Sequence, residues 1–204
     1  MGQMRLRRSD ASIVMTYILT AQLFDEANGD QAFARYQAYI DSVRDQMPPG
    51  TLALATSPWY FNSSDHRAPH DAWLEAIHVV ETPIAADAPR ATPRRVAITV
   101  RLLGAYHDGF IEFHYRDVTR YSIDLTPKRD ASRTGHHDWR YDEFRLAPNG
   151  RVEHEIEWWG RGPTGTWLIE AADVQYAWQP LTARAEESGS HPMGVANSDA
   201  EHGN

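Results

Sequence analysis

Residues 139–159 read WRYDEFRLAPNGRVEHEIEWW, from Trp139 to Trp159, and their pattern decides the fold class. The stretch divides at Pro148-Asn149-Gly150, a turn signal in which Asn and Gly tolerate the left-handed backbone that tight hairpins need. On its far side the residues alternate. Val152, His154, Ile156 and Trp158 fall on one face, and Glu153, Glu155 and Glu157 fall on the other. A period of two is that of a half-buried strand, so Trp139–Leu146 and Arg151–Trp159 are predicted to form an antiparallel hairpin.

The same reading extends outward. Arg95–Tyr106 places Val96, Ile98, Val100 and Leu102 on one face, and Asp108-Gly109 is predicted to be a two-residue hairpin turn. Phe110–Tyr115 returns with Ile111, Phe113 and Tyr115 inward. Glu75–Val80, Val118–Leu125 and Thr166–Val174 supply further strands, the last extended by Tyr176 and Trp178. Thr82–Pro93, Thr126–Asp138 and Gly160–Gly165 read as loops. Ahead of the strands, Phe33, Tyr36, Ile40, Val43 and Met47 recur at helical spacing until Pro48-Pro49-Gly50, and Leu52–Ala55 reads as a short apolar turn. Ile13, Tyr17, Ile18, Ala21 and Phe24 fit an earlier helical face that Asn28-Gly29 breaks. The expected fold is therefore α+β, with two N-terminal helices packed on one mostly antiparallel sheet of about seven strands. Residues 1–182 form a single domain in this reading, and residues 183–204, rich in Ala, Glu, Ser and Gly, form a disordered tail.

At 204 residues, 42% apolar and 24% charged, the composition is that of a globular chain. With no cysteine, disulfides, thiolate metal sites and a thiol nucleophile are excluded. The net charge of −8 argues against nucleic acid as a partner and would steer basic partners inward. The basic residues are arginines apart from Lys128, and they are scattered along the chain. Arg5, Arg7 and Arg8 before Ala11–Ala21 outline a signal peptide. Asp10 at the junction and Leu19 at the −3 position oppose it, and the stretch is too short to span a bilayer. No membrane association and a cytoplasmic location are expected.

Several groups invite a chemical reading. Eight of the ten histidines fall between His66 and His154, yet neither H-E-x-x-H nor H-x-H occurs. His70-Asp71 is a dipeptide found in all-helical metal phosphohydrolases. Before a strand, Asp71 is better read as an Asx-turn residue that bonds backbone N–H groups. His154 on the apolar face reads as a core histidine. The row Glu153, Glu155 and Glu157 faces solvent or a partner, with Arg140 and Arg145 on the neighbouring strand as its nearest cross-strand cations. Asp142 and Glu143 are adjacent in a strand and so point to opposite faces. Gly160–Gly165 holds a proline and precedes a strand, which rules out a phosphate loop, and no G-x-S-x-G elbow is present.

An aromatic helix with Tyr36, Tyr39 and Ile40 ending in Met47-Pro48 is followed by His70-Asp71-Ala72, by strands through Leu102-Leu103 and Phe113–Val118, and by Tyr141-Asp142-Glu143. This layout resembles small bacterial α+β proteins of unknown function that carry a helix, LP, HDA, sheet, YDE order, some of them found near toxin–immunity loci. The resemblance runs from Tyr36 to Val174. Pro69 stands where a leucine would precede the His-Asp pair, and no established catalytic residue comes with the resemblance.

The expectation is a non-catalytic binding protein, an immunity-type inhibitor of a basic toxin or a binder of another basic protein. Its candidate binding residues are Glu153, Glu155, Glu157, His70, Asp71, Asp142 and Glu143. No catalytic residue, metal or cofactor is expected. The alternative is a His-dependent metal-binding or small-ligand protein, with hydrolase chemistry as one form of it.

Overall fold

A computed structural model describes residues 17–19, 29–82, 93–125 and 135–181. Two helices, α1 (Gly29–Val43) and α2 (Pro49–Ala55), precede eight strands in chain order. The strands are β1 (Trp73–Thr82), β2 (Arg95–Leu103), β3 (Gly109–Val118), β4 (Arg120–Ile123), β5 (Asp138–Leu146), β6 (Val152–Gly160), β7 (Gly162–Ala171) and β8 (Asp173–Pro180). Every pairing is antiparallel, in the order β4-β7-β6-β5-β1-β2-β3-β8. The α+β class holds, with eight strands rather than about seven.

The extra strand comes from one expected strand being two. β7 and β8 break at Ala172, whose N–H donates to Arg116 O, while Thr119 N–H donates to Glu170 O. The registers Arg116↔Asp173 and Arg120↔Glu170 lie on either side of this junction. Thus β3 runs into β4 and β7 into β8 along one ladder, and the two ends of the sheet belong to the same pair of tracks. At the other junction Trp73 pairs with Asp138, Asp71 N–H donates to Trp139 O at 2.7 Å and Trp139 N–H donates to Ala72 O at 3.0 Å. The sheet therefore curls until it meets itself, as a barrel does to remove its edges.

Past that corner β1 and β5 separate, and α1 covers the edge that β5 leaves open. The Tyr36 hydroxyl donates to Phe144 O at 3.2 Å and accepts from Phe144 N–H at 3.0 Å, and Tyr39 accepts from Leu146 N–H at 2.8 Å. Tyr36 of the predicted apolar stripe and Tyr39 beside it thus satisfy backbone groups that would otherwise be strand partners. The inward positions of the strands build the core: Ile98, Val100, Leu102, Ile111, Phe113, Trp139, Phe144, Ile156, Trp158, Trp167 and Ile169 are all at most 1% exposed.

Local differences from the expected elements have identifiable causes. Pro48-Pro49-Gly50 does not merely stop a helix, because Pro49 opens α2 at a first-turn position where a missing N–H costs nothing. The free N–H groups of that turn are met from β8. Asp173 accepts from Gly50 N–H at 3.1 Å, Thr51 N–H at 2.9 Å and the Thr51 hydroxyl at 3.0 Å. A Cβ on Gly50 would lie 2.4 Å from Val174 O, so only glycine allows this approach. Of the expected first helix, residues 17–19 are described, and they form a bend, because Ile18 and Leu19 N–H donate to Glu143 instead of to helical carbonyls. The rest of that helix lies outside the described residues, as do the loop at 83–92, most of the loop at 126–138 and the tail at 183–204. The Pro148-Asn149-Gly150 turn joins β5 to β6 with Gly150 at φ 77°. The other turn is longer than two residues. β2 ends at Leu103, His107 takes the left-handed position at φ 57°, and Gly109 opens β3 where a Cβ would meet the Trp178 ring at 2.3 Å. Gly162–Gly165 belongs to β7, so the expected loop shrinks to a hairpin around Arg161 with Gly162 at φ 117°. No helix among the described residues is long and apolar enough to cross a membrane.

Candidate functional site

The corner where β1 meets β5 brings together two segments some seventy residues apart, His70-Asp71-Ala72 and Tyr141-Asp142-Glu143. Asp71 adopts a left-handed backbone at φ 61°, which turns the chain from Pro69 into β1. Its carboxylate does not bond the backbone as an Asx-turn residue would. It accepts from Arg140 Nη1 at 3.1 Å, and the same nitrogen donates to His70 Nε2 at 3.2 Å. With Nε2 accepting, the His70 proton sits on Nδ1. Asp71 Oδ2 is 3.1 Å from Nδ1 but off the hydrogen-bond direction, which leaves Nδ1 without a bonded partner. His70 and Asp71 together hold the Arg140 guanidinium in place.

A bulge between Trp139 and Tyr141 sets the next residues on β5. Asp142 points into the core and Glu143 points out, as the alternation requires. Asp142 is 7% exposed and accepts three bonds: from Tyr60 OH at 2.7 Å, Trp139 Nε1 at 2.9 Å and His154 Nε2 at 3.0 Å. His154 is fully buried, and its other nitrogen accepts from the Tyr115 hydroxyl at 2.7 Å. Burial lowers the imidazole pKa against the pull of Asp142, so the neutral ring is favoured. This Asp–His pair is a closed internal network, with both ring nitrogens spent inside the core.

Beside the network lies a cavity of about 260 Å³. Phe33 and Phe61 form apolar wall, Tyr60 and Asp142 part of the lining, and His70 and Arg140 a polar side. Leu19 completes it from the short segment before α1. That segment is fixed by Glu143, whose Oε2 accepts from Ile18 N–H at 2.7 Å and Leu19 N–H at 2.6 Å, with Arg145 on the other oxygen. Glu143 is 1% exposed, and its burial raises its pKa more than these bonds lower it.

The row of Glu153, Glu155 and Glu157 stands on the opposite face of the sheet and is not a uniform solvent face. Glu153 is 7% exposed and bonded to Arg120, with the Tyr17 hydroxyl donating at 3.4 Å. Neither arginine expected to pair across the strands does so with Glu153: Arg145 bonds Glu143 and Arg140 turns to Asp71. Glu155 and Glu157 are half-buried. Glu155 lies directly across from Glu143, and burial together with Glu157, Glu143 and Glu153 pushes it up to about 7.

Sequence reading missed Tyr60, Trp139 and Tyr115 as partners of Asp142 and His154, and it saw Arg140 only as a strand cation. Trp139 reaches Asp142 along β5 and His154 reaches it across the β5–β6 hairpin, whereas Tyr60 and Tyr115 come from segments that no spacing links to them. Among the described residues no group of three or more His, Asp or Glu is placed to hold a metal ion. No family model, no curated protein and no solved structure matches this chain.

Proposed function

We propose that this protein binds a small molecule, without catalysis, in the cavity between α1 and the β1–β5 corner. The observation that carries the reading is the convergence of His70, Arg140, Tyr60 and Asp142 on one partly apolar cavity. Small-ligand sites combine that apolar wall with a few fixed polar groups and favour the mouths of barrels. The volume of about 260 Å³ suits a compact ligand. The polar groups suit one with an acceptor for Arg140 and an apolar or aromatic body against Phe33 and Phe61. His154 takes no part in the site, because both its ring nitrogens are bonded and Asp142 and Tyr60 stand between it and the cavity.

The test is a ligand-observed NMR screen of small aromatic and aliphatic fragments. Ser63→Phe fills the cavity and Arg140→Gln removes its fixed cation. Hits that bind the parent and lose about tenfold or more in affinity with either variant support the reading, a factor of ten being 1.4 kcal/mol. Hits that bind both variants equally, or a screen without hits, refute it.

A second reading, capture of a basic protein partner, rests on the raised pKa of Glu155. Crowded carboxylates on that face would be relieved by an incoming cation, and the association would weaken with salt. A Glu155→Gln, Glu157→Gln variant that binds such a partner at the parent rate would refute it.

A further inference from the structure

Arginines that are scattered in sequence meet at one place on the fold. Arg94 and Arg95 lie at the start of β2, Asp117 at the end of β3, and Arg151 just after the β5–β6 turn. Together they line an open cleft of about 300 Å³, well away from the cavity described above. Asp117 is the organiser. Its backbone is left-handed at φ 51°, next to the bulge where Val96 pairs with Val118. Its carboxylate takes a two-pronged bond from Arg95 Nη1, at 3.1 and 3.0 Å. Its backbone carbonyl accepts from Arg151 Nη1. Arg151 is thus fixed by a neutral group, and no carboxylate bonds it among the described residues. Arg94 is 70% exposed and, among the described residues, pairs with Glu81 alone, at 3.9 Å.

Three guanidinium groups line the cleft against one lining carboxylate, Asp117, while the chain as a whole carries −8. Outside the lining, Glu81 stands 3.9 Å from Arg94 and the Glu170 carboxylate is stabilised by Arg151, but neither carboxylate faces the cleft. The lining of the cleft is thus cationic on a chain whose net charge is acidic. Guanidinium groups present planar forks of N–H donors that match phosphate oxygens, and two of the three here are held in position before any ligand arrives. From this geometry we infer that the cleft is an oxyanion site for a phosphomonoester dianion, with Arg94 and Arg151 as its main contacts and Arg95 held behind them by Asp117. The inference is independent of the cavity reading.

The test is isothermal titration of the full chain with glycerol 3-phosphate at low ionic strength, with acetate as the monoanionic comparison. Vesicles of neutral lipid doped with phosphatidate form a parallel arm. Saturable binding of the soluble ester alone assigns the site to free metabolites, and vesicle binding as well assigns it to headgroups. Arg94→Gln and Arg151→Gln should each weaken binding about tenfold, and Arg44→Gln, in the exposed turn after α1, should leave it unchanged. Added salt should weaken it further. Among the described residues Arg94 makes one ion pair, with the exposed Glu81, so its variant keeps the fold and the test stands even if Arg151→Gln is unstable. Absence of saturable binding in both arms, equal binding by Arg94→Gln, or acetate binding as tightly as the ester would overturn the inference.

Discussion

Replacing Asp142 probes whether the buried network holds the core together. Asparagine keeps the shape but offers one acceptor oxygen and one amide donor. Placed to keep Tyr60 and His154 on its oxygen, it turns its NH₂ toward Trp139 Nε1, which now donates at 2.9 Å. One buried donor then loses its acceptor, a loss of about 1–3 kcal/mol. The two bonds that remain lose the help of a charge, about 0.5–1.5 kcal/mol each. Against this stands relief from burying a carboxylate that is 7% exposed. The expected cost of Asp142→Asn is about 2–3 kcal/mol, and Asp142→Ala, which strands all three donors, should cost about 3–5 kcal/mol. Urea unfolding at neutral pH, followed by tryptophan fluorescence and far-UV circular dichroism, reads both. A cycle of Asp142→Ala with Tyr60→Phe should show coupling of about 1–2 kcal/mol, because the 2.7 Å bond from Tyr60 is removed in either single variant. A loss below about 0.5 kcal/mol for Asp142→Asn, or no coupling to Tyr60, would refute the network as a source of stability.

Asp173→Ala removes the acceptor for two N–H groups of α2 and the Thr51 hydroxyl, and should lower the unfolding free energy by about 2–4 kcal/mol in the same assay. Gly50→Ala should destabilise by a comparable amount, since its new Cβ meets backbone oxygen rather than a movable side chain. Tyr36→Phe leaves both Phe144 N–H and C=O without their partner and should cost about 1–3 kcal/mol, with faster amide exchange at Phe144 as its local signature. Glu155 is raised from 4.5 to about 7, so the folded chain holds a proton that the unfolded chain releases earlier. Its contribution to stability is complete below 4.5 and is lost as pH rises through 7. Glu155→Gln should therefore gain stability relative to the parent at pH 8 compared with pH 5, and an equal difference at both pH values would contradict the assignment.

The strands were legible because each inner face had to be buried, and burial imposes a period of two. Ile98, Val100 and Leu102, or Ile111, Phe113 and Tyr115, announce their direction without reference to the rest of the chain. Helical starts were less legible, because local propensity competes with tertiary bonds. Pro49 can end one helix or begin the next, and what decides is Asp173, more than a hundred residues later, waiting to cap the new turn. Tyr17 and Ile18 belong to an expected helical face, yet the N–H groups of Ile18 and Leu19 go to a buried glutamate on β5. The two short motifs at the candidate site were visible as motifs. Their contact was not, because it depends on the closure of the sheet at Trp73 and Asp138, and closure leaves no mark on either segment alone.

Charge was the feature most misleading when counted along the chain. Asp142, Glu143, Glu153, Glu170 and Asp173 are each at most 8% exposed, and each has a defined partner inside the fold. They organise the core network, the segment before α1, the β6–β7 face and the start of α2. A substantial part of the acidic excess is therefore structural and projects little field into solvent, so the −8 of the sequence overstates the acidity a partner would meet. Arg145, Arg120 and Arg116 pair with those buried carboxylates, whereas Arg94 and Arg95 stay outside them. Arg94 and Arg95 are 70% and 60% exposed, and no buried carboxylate absorbs them. Burial thus subtracts negative charge from the surface more than positive charge, and the cleft at Asp117 gains electrostatic weight that a residue count assigns to the opposite sign. The proposed anionic ligand at the arginine cleft is thereby compatible with a chain whose net charge is −8.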